Sequence, residues 1–374
     1  MKESALESTG ENNHPLVREF IREQVPIITG VFGLAILAAY LQTGTLPGAD
    51  TPFPVAGVCV PIWHLVWMGF WTGYTMGLVG EASGIFSLPY SMSILQFTGV
   101  AVSPTSLITT FLNPFGALLG YRRERQWNLD FALWLCVGAF IGSPIGSFVR
   151  LYWLRDPAPF KMLIGCALIV MAVHLCIQIT PWYLARTVRQ RLFTEKFDRL
   201  KEERRQAGQV PTGLPDDFCI VTVRKSLKSI TLSYWGEEQT FSVPLMCLIG
   251  FVVGIVAAAM GVGGGFMLVP IMATIYGVPM YVLVAATIPF VIVLSITGLI
   301  SYVFTIPMLT GVSAAPDWSF GLFVASGAIL GAWVASKTQK FIPEKFLKPM
   351  LGVITGVVGI LYIVQYFWQL PFAV

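Results

Sequence analysis

Residues 80–89 read GEASGIFSLP and residues 261–270 read GVGGGFMLVP. Both stretches interrupt long apolar runs and share a frame that opens on Gly80 or Gly261 and closes on Pro89 or Pro270. A glycine inside a helix costs about 1 kcal/mol relative to alanine, so neither stretch favours uninterrupted helix. Two broken helices are therefore expected, and one of them alone carries an acid, Glu81.

The apolar surroundings set the class. The 374 residues are 55% hydrophobic and 12% charged, and a soluble domain carries about twice that charge fraction. Runs of about 20 apolar residues recur, each long enough for a ~30 Å hydrocarbon core. Candidate spans are 26–41, 62–80, 84–97, 103–121, 131–150, 162–180, 244–261, 265–279, 281–304, 319–336 and 348–368. Spans 84–97 and 265–279 are short and follow the breaks. The first 25 residues are polar and lack the apolar core of a signal peptide. Lys and Arg cluster in the N-terminal tail, at 121–125, from Arg186 to Lys228 and at 337–345, whereas 42–61 and 305–318 contain neither. The positive-inside rule then puts the N-terminus in the cytoplasm and 42–61 and 305–318 outside, with Arg150, Arg155 and Lys161 as exceptions.

Shifting the first half by 181 positions lays Gly69, Gly73, Gly80, Gly84 and Pro89 on Gly250, Gly254, Gly261, Gly265 and Pro270. After a small gap Thr105 meets Thr287 and Gly116 meets Gly298, and GAFIG (138–142) meets GAILG (327–331). The chain is internally duplicated. Five segments per copy is an odd number, so the copies enter the membrane in opposite senses. The expected fold is an all-α polytopic membrane protein of two inverted five-segment repeats with Gly-rich helix breaks and an extra N-terminal helix, about 9–11 crossings in all. Its divisions are 1–60 (tail, extra helix and outer loop), 61–183 (first repeat), 184–243 (cytoplasmic linker) and 244–374 (second repeat). The linker begins as a basic helix and continues as alternating residues typical of short strands, with WGEE (235–238) as a turn.

The Gly69/Gly73/Gly77 stripe and its copy have the four-residue spacing of a close-packing helix face. The breaks differ from it. Unpaired backbone at membrane depth survives only when buried in protein or lining a wet cavity. A helix restarting at about Ile85 or Phe266 aims its free N–H groups and positive dipole end back at the break, which suits an anion. Candidate ligands are Ser83, Gly84, Ser87, Thr105 and Ser106 in the first copy and Gly263, Gly264, Gly265 and Thr287 in the second. Asn113, Ser295 and Ser301 lie near them, and a lone membrane Ser or Thr more often bonds its own i−4 carbonyl. Glu81 is a candidate for coupling or gating, as an intramembrane acid, or a cap for the following helix. No nucleophile, zinc or P-loop motif is present, and the six cysteines include no C-x-x-C pair, so neither enzyme chemistry nor a metal or other cofactor is expected.

At the two glycine motifs the chain resembles the sulfite exporter TauE/SafE family, whose mark is a repeated Gly-rich segment running into proline. The resemblance covers roughly 60–180 and 244–370; GVGGGFMLVP is a close match, while GEASGIFSLP lacks two glycines and gains Glu81. The resemblance implies a cell-membrane secondary transporter, an exporter of small sulfur-containing anions such as sulfite, sulfoacetate and other organosulfonates. The expected partners are that anion and the lipid bilayer, with proton coupling at Glu81 and homo-oligomer formation both open to such a scaffold and no nucleic acid. An anion channel on the same scaffold, or a carrier of another small organic anion, is the alternative.

Overall fold

The computed structural model describes residues 20–79, 84–116, 128–177, 220–234, 237–276, 280–338 and 344–368. The chain is predominantly helical, and six of its described helices are long and apolar enough to cross a membrane. Large apolar side chains stay exposed along them, including Leu34, Leu37, Leu41, Phe140, Ile141, Val170, Leu248 and Val252. Such a surface is stable against lipid and costly against water.

Helix α1 (Val25–Thr43) starts with proline in its first turn and stops where Gly44, at φ 72°, returns its N–H to Tyr40 O, a left-handed glycine cap. Only Val31, Ala35 and Ala39 of α1 are buried. A hairpin of β1 (Thr51–Phe53) and β2 (Val58–Val60) follows. The first half continues as α2 (Ile62–Val79), α3 (Gly84–Ser93), α4 (Val102–Leu112), α5 (Leu129–Tyr152) and α6 (Pro157–Ile177). Strands β3 (Val221–Lys225), β4 (Ser229–Tyr234) and β5 (Glu237–Ser242) then form an antiparallel sheet in which Tyr234 pairs with Glu237, so Glu237 and Glu238 of the expected turn are strand residues, and 235–236 lie outside the described residues. The basic stretch of the linker lies outside the described residues. The sheet does not float in solvent: Ile230, Leu232 and Phe241 are fully buried, with Phe241 4.7 Å from Phe131 of α5 and 4.9 Å from Tyr276, ring centre to ring centre.

The second half is α7 (Val243–Met260), α8 (Gly265–Tyr276), α9 (Met280–Ile300), a five-residue π segment (Ser301–Thr305), α10 (Ile306–Thr310), α11 (Trp318–Thr338) and α12 (Glu344–Phe367). The expected loop over 305–318 is helical as far as Thr310, giving one apolar run from Ala286 to Thr310. Pro307 cannot donate a helical hydrogen bond and its ring crowds the preceding turn. The π segment spans the turn before it, ending at Thr305, where a wider turn accommodates that misfit.

In lipid, helix association depends on close backbone approach between small residues, and the glycines are placed accordingly. A side chain at Gly73 would meet Ala328 Cα at 2.7 Å, and one at Gly77 would meet Ala332 Cα at 3.3 Å, so the α2 stripe lies on the backbone of α11. Gly327 and Gly331 of GAILG face Val66 and Phe70 in return. The other copies do the same: Gly250 and Gly254 of α7 face Leu135 and Ala139, and Gly138, Gly142 and Gly146 of α5 face Cys247, Phe251 and Ile255. Each half's stripe therefore packs on the other half's GA-x-x-G helix. Residue numbers rise together in the α2–α11 and α5–α7 contacts, as they do where α4 meets α11 (Thr105 to Asp317, Thr109 to Gly321) and where α5 meets α9 and the π segment that continues it (Ser143 to Thr297, Ser147 to Tyr302). They run oppositely between α4 and α9, where Thr110 and Val291 both lie against Gly263 and Leu107 lies against Gly298. One parallel set, α2, α4 and α11, thus lies against a second, α5, α7 and α9, of opposite sense.

Candidate functional site

Break geometry follows from glycine. Gly261, Gly263 and Gly264 have φ of 82°, 77° and 75°, a left-handed region that other residues enter only with strain. The N–H groups of Gly261 and Val262 both return to Ala257 O, closing α7. Gly264 O then accepts from Met267 and Leu268, and α8 begins at Gly265. In the first break, Glu81 and Ser83 lie outside the described residues, and α3 begins at Gly84.

The two breaks meet. A side chain at Gly84 would lie 2.8 Å from Val262 Cα and 2.8 Å from Thr110 Cγ2, and one at Gly263 would lie 3.1 Å from the same Cγ2. Thr110 of α4 is thus wedged between the breaks, with its hydroxyl turned back to Ser106 O at 3.0 Å. The α3 end lies beside the α2 start, where His64 Nε2 and Tyr90 Oη are 2.8 Å apart. The α8 end lies beside the α7 start through Tyr276 and Phe241. Each short helix therefore returns toward the end from which its predecessor came, leaving its N-terminus at the meeting point.

Beside that point Ser87 and Ser91 of α3 and Thr105, Ser106 and Thr109 of α4 line a cavity closed by Met68, Phe97, Val102, Phe320 and Val324. It measures about 10 Å³, room for about one water molecule. Their hydroxyls are not equivalent. Thr105 Oγ1 donates to Ala101 O at 2.7 Å and accepts the Asp317 N–H at 2.8 Å, so its proton is spent. Ser91 donates to Ser87 O at 2.8 Å, Thr109 to Gly321 O at 3.3 Å, and Ser87 makes a long 3.4 Å bond to Gly84 O. Ser106 Oγ is buried and has no partner among the described residues.

Of the expected ligands, Ser87, Thr105 and Ser106 share the cavity, and Gly84 and Gly263 share the contact between breaks. Gly264 faces the side chains of Ala257, Phe290 and Leu294, a packing position. Gly265 is buried as the first residue of α8. Thr287 donates to Leu283 O at 2.8 Å and does not line the cavity. Three contributors escaped the sequence reading: Ser91, Thr109 and Thr110. The first two stand four residues after Ser87 and Thr105, a spacing that puts them on the same helix face.

Duplication supplies an internal comparison. Under the shifts that align the halves, Ser87, Ser91, Ser106 and Thr109 correspond to Leu268, Met272, Ile288 and Val291, and Phe320 and Val324 to Phe131 and Leu135. All six residues in the second copy are buried. The polar lining therefore belongs to one copy; of the five hydroxyl positions only Thr105 keeps a hydroxyl at its counterpart, Thr287, and the rest become apolar.

The sequence profile of the family described as sulfite exporter TauE/SafE matches residues 65–362. The chain is 22% identical over 304 residues, 79% of its length, to the probable membrane transporter protein YunE of Bacillus subtilis (strain 168), of which the match covers 94%. No solved structure matches it. The profile match runs from α2 into α12 and takes in both breaks, the cavity and the sheet. On that extent, the chain is a multi-pass membrane protein belonging to the sulfite exporter TauE/SafE family of transporters.

Proposed function

We propose that the protein is a secondary transporter that carries small sulfur-containing anions, such as sulfite, sulfoacetate and other organosulfonates, outward across the cell membrane. The observation that carries this reading is the contact between the breaks, Gly84 against Val262 with Thr110 touching both. Two helix N-termini then converge on one place, supplying N–H donors and positive dipole ends without a mobile counter-charge. The Ser106 hydroxyl adds a donor whose proton no protein group takes up. Hydroxyls and backbone N–H groups suit a sulfonate head, which offers three acceptor oxygens around one charge.

Opposite running senses of the two helix sets support the reading of the halves as inverted repeats. In such a scaffold, alternating access comes from rocking one packed bundle against the other around a fixed midplane site. Here the bundles cross-pack through glycine faces, so each moving unit combines helices of both halves. Glu81, on the break whose copy has no acid, is the coupling residue, with a proton as the coupled ion, and the N-terminus is cytoplasmic.

Purified protein in sealed vesicles tests the reading. Preloading with sulfite or sulfoacetate should accelerate uptake of the labelled anion from outside, as a carrier requires. Absence of such exchange, with flux far above carrier turnover, would point instead to a channel on the same scaffold. Failure of every sulfur anion to move would reject the substrate class.

A further inference from the structure

Arg150 is fully buried near the end of α5. Among the described residues no carboxylate lies within ion-pair distance of it. Its Nε donates to Ser103 Oγ at 3.1 Å, and Nη1 donates to Leu154 O. The guanidinium carbon stands 3.6 Å over the Phe160 ring, a contact that offsets part of the lost hydration. Nη2 is buried and meets no acceptor among the described residues. Two of the five N–H bonds of the group are therefore used, and among the described residues its positive charge has no counter-charge.

A buried charge lacking a partner is expensive, and a protein that carries one needs a counter-charge from elsewhere. The neighbours of Arg150 connect it to the second break. Ser103, which accepts from Nε, donates to Ala259 O at 3.2 Å, and a side chain at Gly261 would lie 2.7 Å from Ser103 Cα. Tyr302, in the π segment, donates to Ala258 O at 3.3 Å and has Ser147 and Ser103 beside its hydroxyl. The last turn of α7, just before its left-handed glycine, is thus held by two hydroxyls, one of which is bonded to Arg150. The planar guanidinium fork matches two oxygens of one oxyanion better than a spherical ion.

We infer that Arg150 is the fixed cation of an oxyanion-binding site beside the second break, and that it takes a sulfonate- or sulfite-type head through the N–H bonds of Nη1 and Nη2 that the protein leaves free. The identity of the anion rests on the transport reading above, whereas the site itself rests on Arg150 and its neighbours. Nη2 is enclosed, so the anion enters when the surrounding helix ends part. The neighbour bearing Tyr302 is the π segment, an irregular turn of the kind frequent at functional sites. The phenol and Ser147 then become further donors to the bound head.

The test uses the full-length protein in detergent and in vesicles, with sulfite, methanesulfonate, sulfoacetate and chloride as probes. Wild type should bind the three oxyanions at least tenfold more tightly than chloride. Arg150→Met should weaken oxyanion binding at least tenfold while leaving the unliganded melting temperature equal or higher, because an uncompensated charge has been removed. Arg150→Lys, which keeps the charge and loses the fork, should fall between them; it also serves if Arg150→Met fails to fold. Unchanged oxyanion affinity in both variants, or chloride binding as tight as methanesulfonate, overturns the assignment. If the variants bind and transport normally, the Arg150 assignment alone fails. If wild type neither binds nor moves any of the sulfur anions, this inference and the transport reading fail together.

Discussion

Ser106 and Thr105 are neighbours on α4 and line the same cavity, yet only Ser106 keeps its proton free of a protein acceptor. A hydrogen bond to a charged partner contributes about 1.5–3 kcal/mol, so Ser106→Ala should raise KM for the transported anion by roughly ten- to hundredfold with little change in melting temperature. Thr105→Val should act differently. It strands the Asp317 N–H, and a buried unpaired donor costs about 1–3 kcal/mol, so thermal unfolding should report it before transport does. Glu81→Gln should flatten the pH dependence of uptake if the carboxyl carries the coupled proton; an unchanged profile assigns Glu81 to capping. The i−4 bond of Thr105 was foreseeable from its residue type and helical setting. Its second partner was not, because Asp317 is 212 positions away.

At the scale of elements, glycine spacing decides which helices pair. The four-residue period of Gly69, Gly73 and Gly77 marks a close-packing face from sequence alone, and α2 uses it against α11. The choice of partner is invisible in the period, since a stripe of missing side chains fits any complementary backbone. Overpacking such a face costs about 1–3 kcal/mol or more. Gly142→Leu, which would drive a side chain into Phe251 and Ile255, should lower the melting temperature in detergent by several degrees. Gly33→Leu on α1 is the control: nothing lies within 4 Å of that position, so its melting temperature should not move. The end of α9 shows the opposite limit of sequence reading. The absence of Lys and Arg over 305–318 reads as an outer loop, whereas a π turn carries the helix on as far as Thr310.

Across the whole molecule, the exchanged packing ties each half's first helix to the other half's fourth, so neither half buries its glycine face alone. Truncation after residue 183 should therefore give a fragment that unfolds or associates through α2 and α5, as read by size-exclusion chromatography in mild detergent. The topology carries its own prediction. In a cysteine-replaced background, Ser313→Cys should react with an impermeant thiol reagent from outside, and Ser226→Cys only after permeabilisation. The reverse pattern would turn the protein over in the membrane. Both positions are exposed, so accessibility to the reagent depends on sidedness and not on burial.

Membrane class, the broken helices and the duplication were determined by the sequence itself, because hydropathy, glycine conformational cost and repeated spacing are local properties of the chain. Tertiary structure decided which polar groups remain available, because that depends on partners brought in from far along the chain. Val262 closes on Gly84, Asp317 occupies Thr105, and Gly321 accepts from Thr109. Arg150 illustrates the division. Its charge stands out in an apolar run and reads at first as an exception to loop charge rules, and only packing reveals a buried guanidinium with N–H donors to spare.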